Sequence, residues 1–269
     1  MKLTDFAMIV VSCDAYTELG KIFFDLQQKY MGWLDVPRYF INESKPADFD
    51  GVKTIHVGTD VDWSGKMSRA LEQIPEKYIL FMLEDYFIGK PVAEDHIREA
   101  VQTMKKYDLR YYKITPLPPI HKGSFMGKHL AQIPGNMRYG VNLQAAIFEK
   151  SYLQQIVSGP DRSAWETETD LLKFVTERFE DYLPGCVLDR RNIIDVHNGV
   201  IKGKWVPGTV SYFQRRGYTI DLGQRPMLPH WFMIKMNIMR FVSHILPPVA
   251  ARNLKAFLKR LGMKFVTDN

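Results

Sequence analysis

Short unbroken apolar runs alternate along this chain with stretches whose apolar residues recur every three or four positions, the pattern of buried strands interleaved with amphipathic helices. F-A-M-I-V-V at 6–11 ends at Ser12-Cys13-Asp14, so it reads as a strand delivering polar groups to its carboxyl end, followed by a helix over 15–30. R-Y-F-I-N at 38–42, K-T-I-H-V at 53–57 and Y-I-L-F-M-L at 78–83 follow as strands. Between the last two lies a helix from about Ser64 to Gln73, with Ser64 placed to cap it. Further on, the pattern predicts a helix over 91–107, a strand at 110–115, a strand V-N-L-Q-A-A-I-F at 141–148, a short helix over 150–157 and a helix over 164–179 with an acidic start. This βαβ grammar predicts an α/β sheet flanked by helices, and such sheets bind ligands beyond the carboxyl ends of their strands.

Two regions break the rhythm. Residues 116–136, with four prolines and three glycines, have no sustained period and read as a long irregular loop. After Arg225 the pattern turns amphipathic: Trp231, Ile234, Ile238 and Phe241 share one face of a helix over 230–246, and Leu254, Phe257, Leu258 and Leu261 one face of a second over 249–261. Lys235 and Arg240 interrupt the first, and Pro247-Pro248 ends it short of the ~20 apolar residues a spanning helix needs. Basic, aromatic-bearing helices of this kind lie in the interface of anionic membranes; packing on the domain with solvated lysines is the plainer alternative. The expected organisation is a domain over 1–225 and a basic amphipathic tail over 226–269.

Charge sharpens that division. The 269 residues carry 36 Lys and Arg against 30 Asp and Glu, a net +6, with a pI of about 9.1. Residues 226–269 hold seven of the bases and one acid, which leaves 29 of each in the first 225 residues. A nucleic-acid binder spreads positive charge over the face that meets phosphate, so this neutral body argues against that partner. Two cysteines, Cys13 and Cys186, make disulfides an unsuitable framework and point to a reducing compartment. The apolar run at 6–11 is too short for a signal-peptide core, and the expected location is cytoplasmic.

The sequence has no G-x-G-x-x-G after the first strand, no G-x-x-x-x-G-K-[ST], no H-E-x-x-H, no paired C-x-x-C and no G-x-S-x-G. Its chemistry is acidic. Glu84-Asp85 follow the apolar strand at 78–83 directly, where a divalent cation bridging to substrate phosphates would compensate the charges; an ordinary acidic turn fits the spacing equally. In A-W-E-T-E-T-D at 164–170 the acids either stabilise a helix start or supply a carboxylate base beside an aromatic platform suited to a sugar ring.

The order of five pieces resembles bacterial GT-A-type glycosyltransferases of capsule and surface-polysaccharide synthesis. They are S-C-D-A-Y, G-T-D-V-D-W-S-G-K-M-S-R-A-L, Y-I-L-F-M-L-E-D-Y-F-I, N-L-Q-A-A-I-F-E-K-S-Y-L and A-W-E-T-E, spanning roughly residues 6–205. The resemblance implies a GT-A-like, Rossmann-like mixed sheet. It also implies a hexosyltransferase-type activity that moves a sugar from a nucleotide-diphosphate donor, commonly a UDP-sugar, to a saccharide hydroxyl. Ser12, Asp14 and Tyr16 would meet the nucleobase, and Asp60, Trp63 and Lys66 the base, ribose or phosphate. Glu84 and Asp85 would meet ribose and a Mn²⁺ or Mg²⁺ ion, although E-D-Y stands where the family writes D-x-D.

By the same resemblance Glu168, with Glu166 as the alternative, would be the base of an inverting single displacement, and Trp165 would shape the acceptor site. His197 would be a further metal ligand and Lys204 a diphosphate contact. The loop over 116–136, with Lys122, Lys128, His129 and Arg138 nearby, would close over the donor. A lipid-linked acceptor at the inner face of the cell membrane would suit the basic tail. The rival readings are a metal-dependent nucleotidyltransferase or phosphohydrolase, and a non-catalytic carbohydrate-binding protein.

Overall fold

In the computed structural model, which describes residues 3–120, 129–178, 181–229 and 232, the six expected strands join two others in one mixed sheet of eight. The chain divides into two compact units at Gly199. The first runs through β1 (Phe6–Val11), α1 (Leu19–Met31), β2 (Arg38–Asn42), β3 (Lys53–His56), α2 (Trp63–Glu72), β4 (Tyr78–Leu83) and β5 (Tyr86–Ile88). It continues through α3 (Glu94–Lys106), β6 (Tyr111–Lys113), β7 (Leu130–Pro134), β8 (Ala146–Glu149), α4 (Lys150–Val157), α5 (Ala164–Arg178), β9 (Tyr182–Asp189) and β10 (Val196–Asn198). The second unit contains β11 (Val200–Ile201), β12 (Lys204–Trp205) and α6 (Pro207–Gln214).

The sheet order is β3-β2-β1-β4-β8-β6-β9-β7. β8 runs antiparallel to both neighbours and β7 antiparallel to β9, while the other strands share one direction. The carboxyl ends of β1, β2, β4, β6 and β9 therefore meet one edge. β1 is buried along its whole length and β4 along nearly all of its own, which is why both read as continuous apolar runs. One face of the sheet packs Met67 and Leu71 of α2, Leu153 of α4 and Leu171 of α5; the other packs Phe23 and Phe24 of α1 and Ile97 and Met104 of α3. Full burial of each such side chain contributes roughly 1.5–3 kcal/mol.

Several local expectations are corrected. The first helix begins at Leu19, because Cys13–Tyr16 forms a turn closed by Tyr16 N to Cys13 O at 2.9 Å. Helix α2 is capped by Asp62, which accepts from Trp63 N, and the Ser64 hydroxyl instead donates to Asp161 at 3.2 Å and accepts from Arg162 N at 2.8 Å. A contact from 97 residues away thus takes the expected cap. The loop over 116–136 contains the edge strand β7, and of 141–148 only the end from Ala146 pairs as strand. β9, carrying Pro184 and Gly185, had no clear apolar signature. The helices expected over 230–246 and 249–261 lie outside the described residues. Among the described residues no helix is long and apolar enough to cross a membrane.

Candidate functional site

β1 connects outward to β2 on one side and lies against β4 on the other, so the order of the sheet reverses between their carboxyl ends, the position at which open α/β sheets bind ligands. Val11 is in register with Leu83, and Glu84 N donates to Val11 O at 3.3 Å, which brings Ser12-Cys13-Asp14 beside Glu84-Asp85. Burial, Glu84 and Glu43 push the Cys13 thiol up, an electrostatic sign that these acids share its surroundings. Glu84 and Asp85 are half-buried, and Gly199 N donates to Asp85 O at 2.7 Å, tying their turn to β10.

On the β1 side the charges form a chain of partners. The Asp14 carboxylate accepts from Ser44 Oγ at 2.6 Å, Ser44 N at 2.9 Å and Lys45 N at 2.7 Å, and these bonds hold it below the usual carboxylate range, the Ser44 hydroxyl most strongly. Asp14 N donates to Glu43 Oε2 at 2.9 Å, and Lys66 Nζ reaches Glu43 Oε1 at 2.6 Å. Glu43 is a member the sequence reading missed; its position directly after β2, like that of Glu84 after β4, was the available signal. Ser12 and Tyr16 lie in the same turn region, both half-buried. Asp60 forms a fork with Arg69 at 2.6 and 2.8 Å, which pulls its carboxyl down to about 2, and Trp63 packs partly buried against the core.

Helix α5 separates the two candidate bases. Glu166 accepts from Ser163 N at 2.9 Å and Ser163 Oγ at 2.7 Å, while its own N–H donates back to Ser163 Oγ at 3.2 Å: a capping box that holds the Glu166 carboxyl low. Glu168 is half-buried and accepts from Leu143 N at 3.1 Å, just ahead of β8. Trp165, one turn earlier, is 53% exposed. The Tyr86 phenol is pushed up by burial first and then by Asp85, Glu168 and Glu84, so the strand-end pair and the α5 carboxylate act on one ring.

A residue without a place in the sequence reading completes this corner. Lys113, at the end of β6, is fully buried; its Nζ donates to Tyr139 O at 2.6 Å and Gly140 O at 3.1 Å. Burial pushes its amine down to about 7, with Glu168 acting in the opposite direction. A lysine inside Y-Y-K-I was the visible clue.

The remaining sequence-selected residues are on other elements. His197 on β10 pairs with Phe87 of β5, approaches Asp195 Oδ2 at 3.3 Å, and lies so close to Gly89 that a Cβ there would come within 2.5 Å of the ring. Gly89 follows the end of β5 that is remote from Asp85. Among the described residues no group of three or more His, Cys, Asp or Glu is placed to hold a metal ion. Lys204 is on β12 in the second unit, His129 meets Glu99 at 3.0 Å, Arg138 stacks over Tyr139, and Lys122 and Lys128 lie outside the described residues.

No family model matches this chain, and no curated protein matches it. Among solved structures it is similar to residues 1–349 of TarS from S. aureus, with 12% identity, a TM-score of 0.43 and coverage of 70% of this chain and 60% of that one. A Methanothermobacter nucleotidyl transferase follows at 11% identity and TM-score 0.41, covering 70% and 88%, and UDP-glucose pyrophosphorylase complexed with UDP-glucose at 5% and 0.44, covering 71% and 91%. The chain thus spans 60% of the TarS fragment.

Proposed function

We propose that this chain is a glycosyltransferase that moves a sugar from a nucleotide-diphosphate donor, a UDP-sugar being the first choice, to a hydroxyl of a saccharide acceptor. The observation that carries this reading is the place of Glu84 and Asp85 directly after β4, beside the end of β1 at the switch point of the sheet, while the charges of Asp85, Glu168 and Glu84 all push up the Tyr86 phenol and Glu166 is occupied in its own cap. Leu143 N–H holds one oxygen of Glu168. The other would take the proton of the attacking hydroxyl in a single displacement, and Trp165 would offer its exposed face to the acceptor ring.

Adjacent half-buried carboxylates are oxygen ligands of the kind Mg²⁺ or Mn²⁺ takes, with water and substrate phosphate oxygens in the rest of its shell. Glu84 and Asp85 would hold that ion, and when bound it supplies neutralisation of the charge on the departing diphosphate. Ser12, Asp14, Tyr16 and Glu43 would face the nucleoside, with Lys66 kept in place by Glu43.

A thermal-shift screen of nucleotides and nucleotide-sugars with and without Mn²⁺ tests this. A UDP-sugar that raises the melting temperature only with the ion, and loses that effect in Glu84→Gln/Asp85→Asn, supports it. Release of pyrophosphate rather than nucleoside diphosphate would move the chain to the nucleotidyltransferases. We further propose a role in surface-polysaccharide synthesis on a lipid-linked acceptor, at the inner face of the cell membrane. The charge excess of 226–269 supports that placement. Removal of 226–269 should then weaken sedimentation with anionic liposomes, and unchanged binding would reject it.

A further inference from the structure

Lys113 is the last residue of β6, and the flanking strands place Ala146 and Leu188 in register with it. Its Nζ meets the two carbonyls of Tyr139 and Gly140, and Glu168 of α5 is the charged side chain acting on it among the described residues. An ammonium is among the costliest groups to bury, and methionine would fill the strand position without that cost.

What the lysine holds is an unusual turn. Tyr139 stands at φ 60°, a left-handed conformation that residues with a side chain avoid. At Gly140 a Cβ would come within 2.4 Å of Ile133 Cγ2. Met137 N donates to Pro134 O at 3.1 Å and Gly140 N to Met137 O at 3.0 Å, closing the turn. Three residues beyond Gly140 is Leu143, whose N–H holds Glu168. The clamp and the anchor of the carboxylate thus belong to one short segment, which also presents the exposed Tyr139 ring.

We infer that Lys113 is a positioning residue for Glu168: by clamping the Tyr139 and Gly140 carbonyls it fixes the backbone that orients the carboxylate. This rests on Glu168 as the base. Methionine at 113 keeps the length of the side chain and discards the donors.

The test uses the full chain with ¹³Cε-labelled lysine, following the lysine that titrates near neutral pH by NMR. In Glu168→Gln that midpoint moves to lower pH and the Leu143 amide resonance shifts. In parallel, Lys113→Met lowers kcat for nucleoside diphosphate release from the nucleotide-sugar chosen by thermal shift by about ten-fold or more, with KM for the donor within about two-fold. Adding it to Glu168→Gln causes little further loss, since the two act as a unit. Wild-type kcat in Lys113→Met overturns the inference. An unchanged midpoint in an inactive Glu168→Gln overturns the link to Lys113 alone, and decides the matter if Lys113→Met does not fold. A fully active Glu168→Gln removes the base reading, and this inference with it.

Discussion

Asp189 and Lys113 end neighbouring parallel strands, β9 and β6, and both are fully buried, yet they are treated in opposite ways. Asp189, on the α1/α3 face, is matched on all sides: Tyr112 Oη donates to it at 2.7 Å, and Arg191 reaches it through its N–H at 2.8 Å, Nε at 3.0 Å and an Nη at 2.7 Å. Burial pushes that carboxyl up, but these bonds more than offset it and leave it below the usual range. Lys113, on the α2/α4/α5 face, has carbonyls and the influence of Glu168, and its amine is far below the ordinary lysine range. A charge with a complete set of partners serves stability. A buried charge held by neutral carbonyls is the one that the proposed function puts to use.

The largest effect expected from this contrast is catalytic. Glu168→Gln should reduce nucleoside diphosphate release about 10²- to 10⁴-fold with the far-UV spectrum unchanged, and wild-type turnover would end the distinction between the two faces. Next comes stability: Asp189→Asn leaves the Arg191 fork without its charge and should cost about 3 kcal/mol in urea unfolding, far more than it costs in rate. Because the native Asp189 carboxyl is depressed, its contribution is full above the ordinary aspartate value and is lost as pH falls through the native one.

Lys113 should give a pH dependence of the opposite origin, from burial rather than from bonding. The native amine releases its proton near about 7 whereas the unfolded chain keeps it to 10.5, so the unfolded state binds more protons in between and stability rises with pH across that window. Denaturant unfolding at pH 6.5 and 9 should show the contribution of this rise in the wild type and its loss in Lys113→Met. The smallest change is expected for Glu166→Gln, which loosens an exposed cap: a slight fall in melting temperature and near-normal turnover. A turnover as low as that of Glu168→Gln would reverse the assignment.

The strand-end acids and α5 were legible because each sits beside a long apolar or periodic run. Glu84-Asp85 follow six apolar residues, and A-W-E-T-E opens a helix. The choice between Glu166 and Glu168 was not legible. It depends on Ser163 closing a cap and on Leu143 arriving from a non-helical segment 25 residues away. Glu43 and Lys113 were passed over for a related reason: their partners, Lys66 and the 139–140 carbonyls, are distant in sequence.

By itself the sequence determined most of the sheet's strands, the helices of the first unit and the edge at which polar groups gather, since hydrophobic period is a local property and burial follows from it. Which charges pair, which cap and which remain to act was decided by tertiary structure alone. Hydrogen bonds and ion pairs depend on ångström distances between segments that no local pattern encodes.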